Sequence, residues 1–343
     1  MEAASIPSGD SATLARSPLA RLPDRLLKYG LTVLAALILA LIVFFFFELV
    51  GEARPAFEKE GVFGFVFGQP WDVAAEHFGG LPLLVGTLIT SVLALLIGVP
   101  VAVATAIYAT ELCPLRLRAP LTMLVELLAA VPSVVYGLWG IFFLAPHLQP
   151  AEQWVADRLS FIPFIGGGTV TIPNYFVTGL VLAIMILPIV SAISREVMAT
   201  VPSDHKEAAL GLGATRWEMI RTAVIPYCRS GIVGGAMLGL GRAIGETIAV
   251  TILIGDSPTL GHHLFGQGYS LAAVIANEFG EAQGLHRSAL FAAGLVLFVL
   301  TLLVNGVARG FVLRASRPNR PQRNTRRPTA DADDLLAGTS AGA

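Results

Sequence analysis

Apolar residues along this chain come in six long runs, at 31–50, 83–109, 121–145, 175–193, 231–254 and 289–307, with polar and charged positions gathered between them. A helix needs about 20 predominantly apolar residues to cross a bilayer, and each run is near or above that length. The second run has 27 residues without a charge, enough to cross while tilted, and Pro100 predicts a kink in it. The third holds Glu126 and the sequence VPSVVYGLWG, with a bend at Pro132–Ser133, and the fourth carries Pro188. Segments 51–82, 146–173 and 255–288 are mixed, with Gly, Pro and aromatic residues, and predict exposed loops. The whole pattern predicts an all-α membrane protein with six transmembrane helices. Around a membrane domain at 29–310 it predicts an N-terminal cytoplasmic tail at 1–28 and a disordered C-terminal tail at 311–343 that has no apolar period.

Composition supports that pattern: 55% of residues are hydrophobic and 14% charged, where a soluble domain carries about 25% charged residues. Charge also orients the helices. Of the 23 Lys and Arg residues, 18 fall in the two tails and in the connections after the second and fourth runs, four fall in the three other loops, and Arg242 lies inside a run. Basic connections stay in the cytoplasm, so this imbalance predicts that both termini are cytoplasmic. A cleaved signal peptide does not suit 31–50, which is too long, too far from the start, and followed by no small-residue cleavage site. Cys113 and Cys228 both fall on the predicted cytoplasmic side, where a disulfide is disfavoured, and no Cys/His spacing points to a metal site. His262 and His263 read as solvated loop residues, and Trp139 and Trp154 as anchors at the outer interface.

The polar segment 202–226 carries two helix starts. Ser203–Asp204 after Pro202 supplies a cap, with Glu207 three residues beyond Asp204, and this helix stops at Gly211-Leu-Gly213. Thr215 and Glu218 form a T-x-x-E capping box that starts a second helix, predicted to end before Pro226. Ala208, Ala209, Gly211 and Gly213 are small enough to let a partner approach closely.

The fifth run contains two charges. Arg242 and Glu246 are four residues apart, which predicts one helix face. Burying Arg in hydrocarbon costs at least ~2.5 kcal/mol, so the pair needs either a structural or a functional reason. The guanidinium is a permanently charged fork suited to an oxyanion, the carboxylate would hold it and limit how tightly an anion binds, and Thr247 adds a hydroxyl. Glu126 either faces the same path or makes a polar contact near the inner surface. The glycines at 231, 235 and 239, and at 241 and 245, read as small-residue stripes for tight helix packing.

Segment 207–226 resembles the EAA loop of ABC-importer permeases: Glu-Ala-Ala, three residues, Gly, nine residues, Ile-x-Leu-Pro. Glu207, Ala208, Ala209, Gly213 and Pro226 stand at matching positions, while Ala223 and Ile225 replace the usual Ile and Leu. RSGIVGGAMLGLGRAIGETIAVTILIG and ELLAAVPSVVYGLWGIFFL narrow the likeness to permeases of the Pst phosphate importer. The late IANEFGEA and HRSALFAAGLVLFVLT are similar to the C-type subunit (PstC) more than to the A-type (PstA). The resemblance runs from about Leu83 to Arg309 and implies a MetI-like permease fold in a bacterial inner membrane. It implies a PstA-type second permease, two ATPase subunits that dock on segment 202–226, and an extracytoplasmic phosphate-binding protein. It also implies that Arg242 and Glu246 are the charged pair used in phosphate passage.

An enzymatic role is not expected. No G-x-x-x-x-G-K-[ST] occurs, GLGRAIG follows no strand, and ATP with Mg is expected on the partner ATPase, with no cofactor on this chain. Three other functions stay open on residues alone: a permease for another oxyanion, a self-sufficient secondary transporter or channel, and a membrane scaffold working through its tails.

Overall fold

A computed structural model describes residues 22–315 apart from 167 and 262. The expectations for 1–21, for 316–343 and for His262 lie outside the described residues. Helix α1 (Leu22–Glu60) is 39 residues long and overruns the first apolar run at both ends. Its extension EARPAFEKE is rich in good helix formers and contains Pro55. Beside that proline the Ser288 hydroxyl enters the backbone ladder. It donates to the Glu52 carbonyl at 2.7 Å and accepts from the Ala56 N–H at 3.1 Å, so the helix continues. Segment 51–82 is therefore not an open loop. After α1 come α2 (Val62–Phe67) and a two-stranded antiparallel hairpin, β1 (Trp71–Asp72) and β2 (His77–Phe78).

Helix α3 (Leu81–Ile107) closes in a π-helical turn, Tyr108–Leu112. The third apolar run is broken. Helix α4 (Leu115–Ala130) stops at Val131–Pro132, where proline pushes the preceding residue into extended backbone (Val131 ψ 126°). Helix α5 (Ser133–Trp139) then continues through a π-turn, Gly140–Leu144, into α6 (Ala145–Arg158), so the helix ends beyond 145. The axis turns by 92° between α4 and the α5–α6 rod. Helix α7 (Tyr175–Ala199) starts at Asn174, whose side chain accepts the Val177 N–H at 2.9 Å.

Next come α8 (Ser203–Gly211), α9 (Arg216–Met219), a π-turn Ile220–Val224, and α10 (Ile225–Ile244). The last three form one continuous helical rod from Arg216, which does not stop before Pro226. The wider π-turn sits where the proline ring would otherwise press on the preceding carbonyls, and Pro226 falls at the start of the new α-helical stretch. Helices α11 (Ile248–Ile254), α12 (Leu271–Glu278) and α13 (Gly284–Ala315) complete the chain. Among the described residues, five helices are long and apolar enough to cross a membrane, and the bent α4–α6 unit raises the number to six.

Helices α3 and α7 form the most extensive helix pair, with Tyr175, Leu182 and Ile186 fully buried between elements. Helix α10 lies against α7 along one glycine stripe. A Cβ at Gly231 would overlap Val197, at Gly235 it would come within 3.2 Å of Ile193, and at Gly239 within 2.9 Å of Val190. Gly241 and Gly245 do not extend this contact. A Cβ at Gly241 would meet only Asn305 Oδ1, at 3.9 Å. A separate small core joins segment 202–226 to the span ends: Ala106 and Ile107 of α3, Met198 of α7 and Val201 after it, and Met219, Ile220, Val224 and Cys228.

Candidate functional site

The hairpin α8–α9 is held by local chemistry. At the end of α8 the Gly213 N–H reaches the Leu210 carbonyl at 2.9 Å and the Ala214 N–H reaches Ala209 at 3.2 Å. This double closure needs a left-handed residue, and Gly213 supplies it with φ +88°. Thr215 and Glu218 then make a complete capping box. Both hydrogen bonds run between the pair: the Thr215 N–H to Glu218 Oε2 at 2.8 Å, and the Glu218 N–H to Thr215 Oγ1 at 3.3 Å. Glu207, Ala208, Gly213 and Pro226 are exposed, whereas Ala209 turns inward onto the small core. At the tip Leu212 is 91% exposed, with Trp217 and Leu210 exposed beside it. The three side chains put an exposed apolar patch at the tip of the turn.

The fifth run is not one helix. Helix α10 ends at Ile244, Gly245 to Thr247 are non-helical, and α11 begins at Ile248 without a side-chain cap. Gly245 is a poor helix former, and the break takes Glu246 off the face that Arg242 occupies. Arg242 stands in the last turn of α10, exposed, near the carbonyl end that favours a cation. Glu246 and Thr247 are half-buried, and among the described residues no ion pair joins Arg242 to Glu246. The Thr247 hydroxyl donates to its own turn, at the Gly245 carbonyl 3.4 Å away. Instead of Glu246, Tyr136 of α5 comes within electrostatic range of Arg242. Tyr136 donates its hydroxyl to the Leu128 carbonyl at 2.8 Å across the α4–α5 break, so two broken helices meet beside Arg242.

Glu126 is elsewhere. Its Oε1 accepts from Arg195 of α7 at 2.9 Å, beside a cavity of about 430 Å³ also lined by Thr110, Arg118, Thr122 and Glu196. Glu126 is thus a partner of Arg195 and has no described contact with Arg242. Sequence reasoning missed Arg195, Tyr136 and the partly buried pair Lys206–Glu111, which meet at 2.7 Å. No spacing rule links residues 69 or 95 positions apart.

At the opposite end of the bundle Glu278 gathers a polar cluster. It accepts from Trp71 Nε1 at 3.1 Å and from the Tyr269 hydroxyl at 3.2 Å, and it faces His286 Nε2 at 2.8 Å. Asn277 donates to the Tyr269 hydroxyl at 3.3 Å. Burial raises the Asp256 carboxyl above the ordinary range, against the lowering hydrogen bond from Asn277, and Glu278 adds a smaller raising effect. His263 is only half-exposed and its Nδ1 is buried without a partner, because its loop folds back against Gly168. It is therefore not the solvated residue the sequence predicts.

The family described as the binding-protein-dependent transport system inner membrane component matches residues 94–317. The chain belongs to this family of inner-membrane permease components and is a multi-pass membrane protein. Within the family it groups with the PstC type. The phosphate transport system permease protein PstC of Pasteurella multocida is 45% identical over 260 residues, spanning 74% of this chain and 81% of that protein. The PstC protein of Mesorhizobium japonicum is 47% identical over 257 residues, spanning 74% of this chain and 79% of that one. Among solved structures, a chain of a bacterial ABC transporter involved in the import of the acidic polysaccharide alginate has the same fold. Its TM-score is 0.56 at 20% identity, with 87% of this chain and 100% of that chain covered.

Proposed function

We propose that this chain is a permease subunit of an ATP-driven phosphate importer. The phosphate transport named for its relatives supports the cargo. The observation that carries the chemistry is Arg242: a permanent cation in the membrane, at a helix break, with no ion-pair partner among the described residues. A second permease of the PstA type completes the path, since the face bearing Arg242 is open in this chain. Two ATPase subunits bind ATP and Mg and dock on segment 202–226, and an extracytoplasmic binding protein delivers phosphate to the end bearing Glu278. Both termini are cytoplasmic.

In the transport cycle, closure of the ATPase pair on ATP moves α8, and the bundle switches from outward to inward opening. Phosphate passes Arg242, whose fork offers paired N–H donors to two of its oxygens. Glu246 and Thr247, in the break that follows α10, add a carboxylate and a hydroxyl further along the path. The site stays shallow enough to release its cargo, as a conducting path requires. The Leu212 tip supports docking, a feature that a self-sufficient transporter or channel does not need.

Arg242→Gln keeps the size and loses the charge. It should lower phosphate uptake by about 10–100-fold, the value of a hydrogen bond to a charged group, with the complex assembled in normal ratio. Uptake at the wild-type rate by that variant would remove Arg242 from the path.

A further inference from the structure

The π-turn Tyr108–Leu112 that ends α3 is a junction of several elements. Glu111 receives Lys206 of α8 at 2.7 Å, and the pair is largely withdrawn from solvent, with Lys206 24% and Glu111 8% exposed. The neighbouring Thr110 carbonyl accepts from the Arg118 guanidinium of α4. The Thr110 hydroxyl donates to the Ala106 carbonyl at 2.9 Å and lies 3.7 Å from Met198 Sδ of α7. A further bond ties α4 to α7, Arg195 to Glu126 at 2.9 Å. Three elements thus converge on five residues of irregular helix, and one of them is the first helix of the docking hairpin.

We propose that the Lys206–Glu111 ion pair is the link through which displacement of the docking hairpin moves the end of α3, so that both are positioning residues of the transport cycle. Three features of the structure favour this role over plain stabilisation. First, Lys206 lies inside α8, one residue before Glu207, and points toward the spans while the exposed face of α8 remains free for a partner. Second, apart from the continuous run of α9 into α10, the hairpin meets the spans through a small apolar core without directional bonds, whereas a partly buried ion pair is directional. Third, α3 packs on α7 more extensively than any other two helices pack, so moving its end moves the centre of the bundle. π-turns can change their hydrogen-bond register, which suits a segment that must transmit a shift.

This inference rests on the docking role proposed above, and the test separates the two. The complete complex is reconstituted in proteoliposomes, and inorganic phosphate transported per ATP hydrolysed is measured for wild type, Lys206→Met, Glu111→Gln, and the charge-swapped double variant Lys206→Glu/Glu111→Lys. Both single variants should co-purify with the ATPase subunits and keep hydrolysing ATP, while phosphate moved per ATP falls about fivefold or more, the lower bound of a typical coupling energy. The swapped pair should recover most of that loss. Wild-type phosphate per ATP in both single variants overturns the link and leaves docking intact. Wild-type chain that fails to co-purify with ATPase subunits overturns the docking role instead. Should the single variants fail to assemble, Glu111→Asp keeps the charge and shortens the arm. It should lower phosphate per ATP with assembly preserved, and full coupling in it overturns the proposal.

Discussion

Arg242 stands where a helix stops, and that position explains more than its charge does. In mid-helix a partner at i+4 would neutralise it. At the end of α10 it is exposed, within electrostatic range of Tyr136, which bridges the α4–α5 break. Gly213 is the comparable residue on the docking hairpin. Gly213→Ala forces a Cβ into φ +88° and should cost about 1 kcal/mol locally. The expected readout is weaker co-purification with the ATPase subunits at unchanged membrane insertion. Asp256 yields a pH prediction. Its folded carboxyl titrates above the unfolded one, so between the two values the folded state holds more protons. Stability therefore falls as pH rises through that window and is level above it. Protection of the loop amides around Asp256, corrected for intrinsic exchange, should rise as pH falls through that window, and Asp256→Asn should abolish that dependence. At this scale the sequence announced Gly213 and the Thr215–Glu218 box, because those signals are local. Arg195 with Glu126, and Lys206 with Glu111, were illegible because only the tertiary fold brings them together.

At the scale of elements, continuous apolar runs concealed two breaks and several extensions. Hydropathy reports whether a segment suits lipid, and it is blind to whether the segment is straight. Pro132 and Gly245 were visible, yet the 92° turn at one and the three-residue gap at the other depend on what the two halves pack against. The converse failure is Pro55, which looks like an end to a helix until Ser288 repairs the ladder. The glycine stripes divide in the same way. Gly231→Ala should destabilise the chain by about 1–3 kcal/mol through overlap with Val197. Gly241→Ala, in open space, should stabilise α10 by about 0.5–1 kcal/mol. Thermal unfolding of the two variants in one detergent checks both signs.

Across the whole molecule, the fold buries most of α7 and α11 and leaves α1, α4 and the α5–α6 rod with broad apolar faces. Some of that surface suits lipid, and the part beside Arg242 suits a second permease. Under the proposed function, an oxyanion path shared between two chains accounts for Arg242, which has no ion-pair partner among the described residues. It also puts docking and passage at separate places, joined through the turn at Tyr108–Leu112. The decisive measurement uses the purified complex in proteoliposomes, with binding protein outside and ATP inside, offered phosphate, sulfate or molybdate in turn. Phosphate should accelerate ATP hydrolysis and accumulate in the lumen, and Arg242→Gln should cut that accumulation by about 10–100-fold. Stimulation by sulfate or molybdate with none by phosphate, or uptake by this chain alone without nucleotide, would contradict the proposed function.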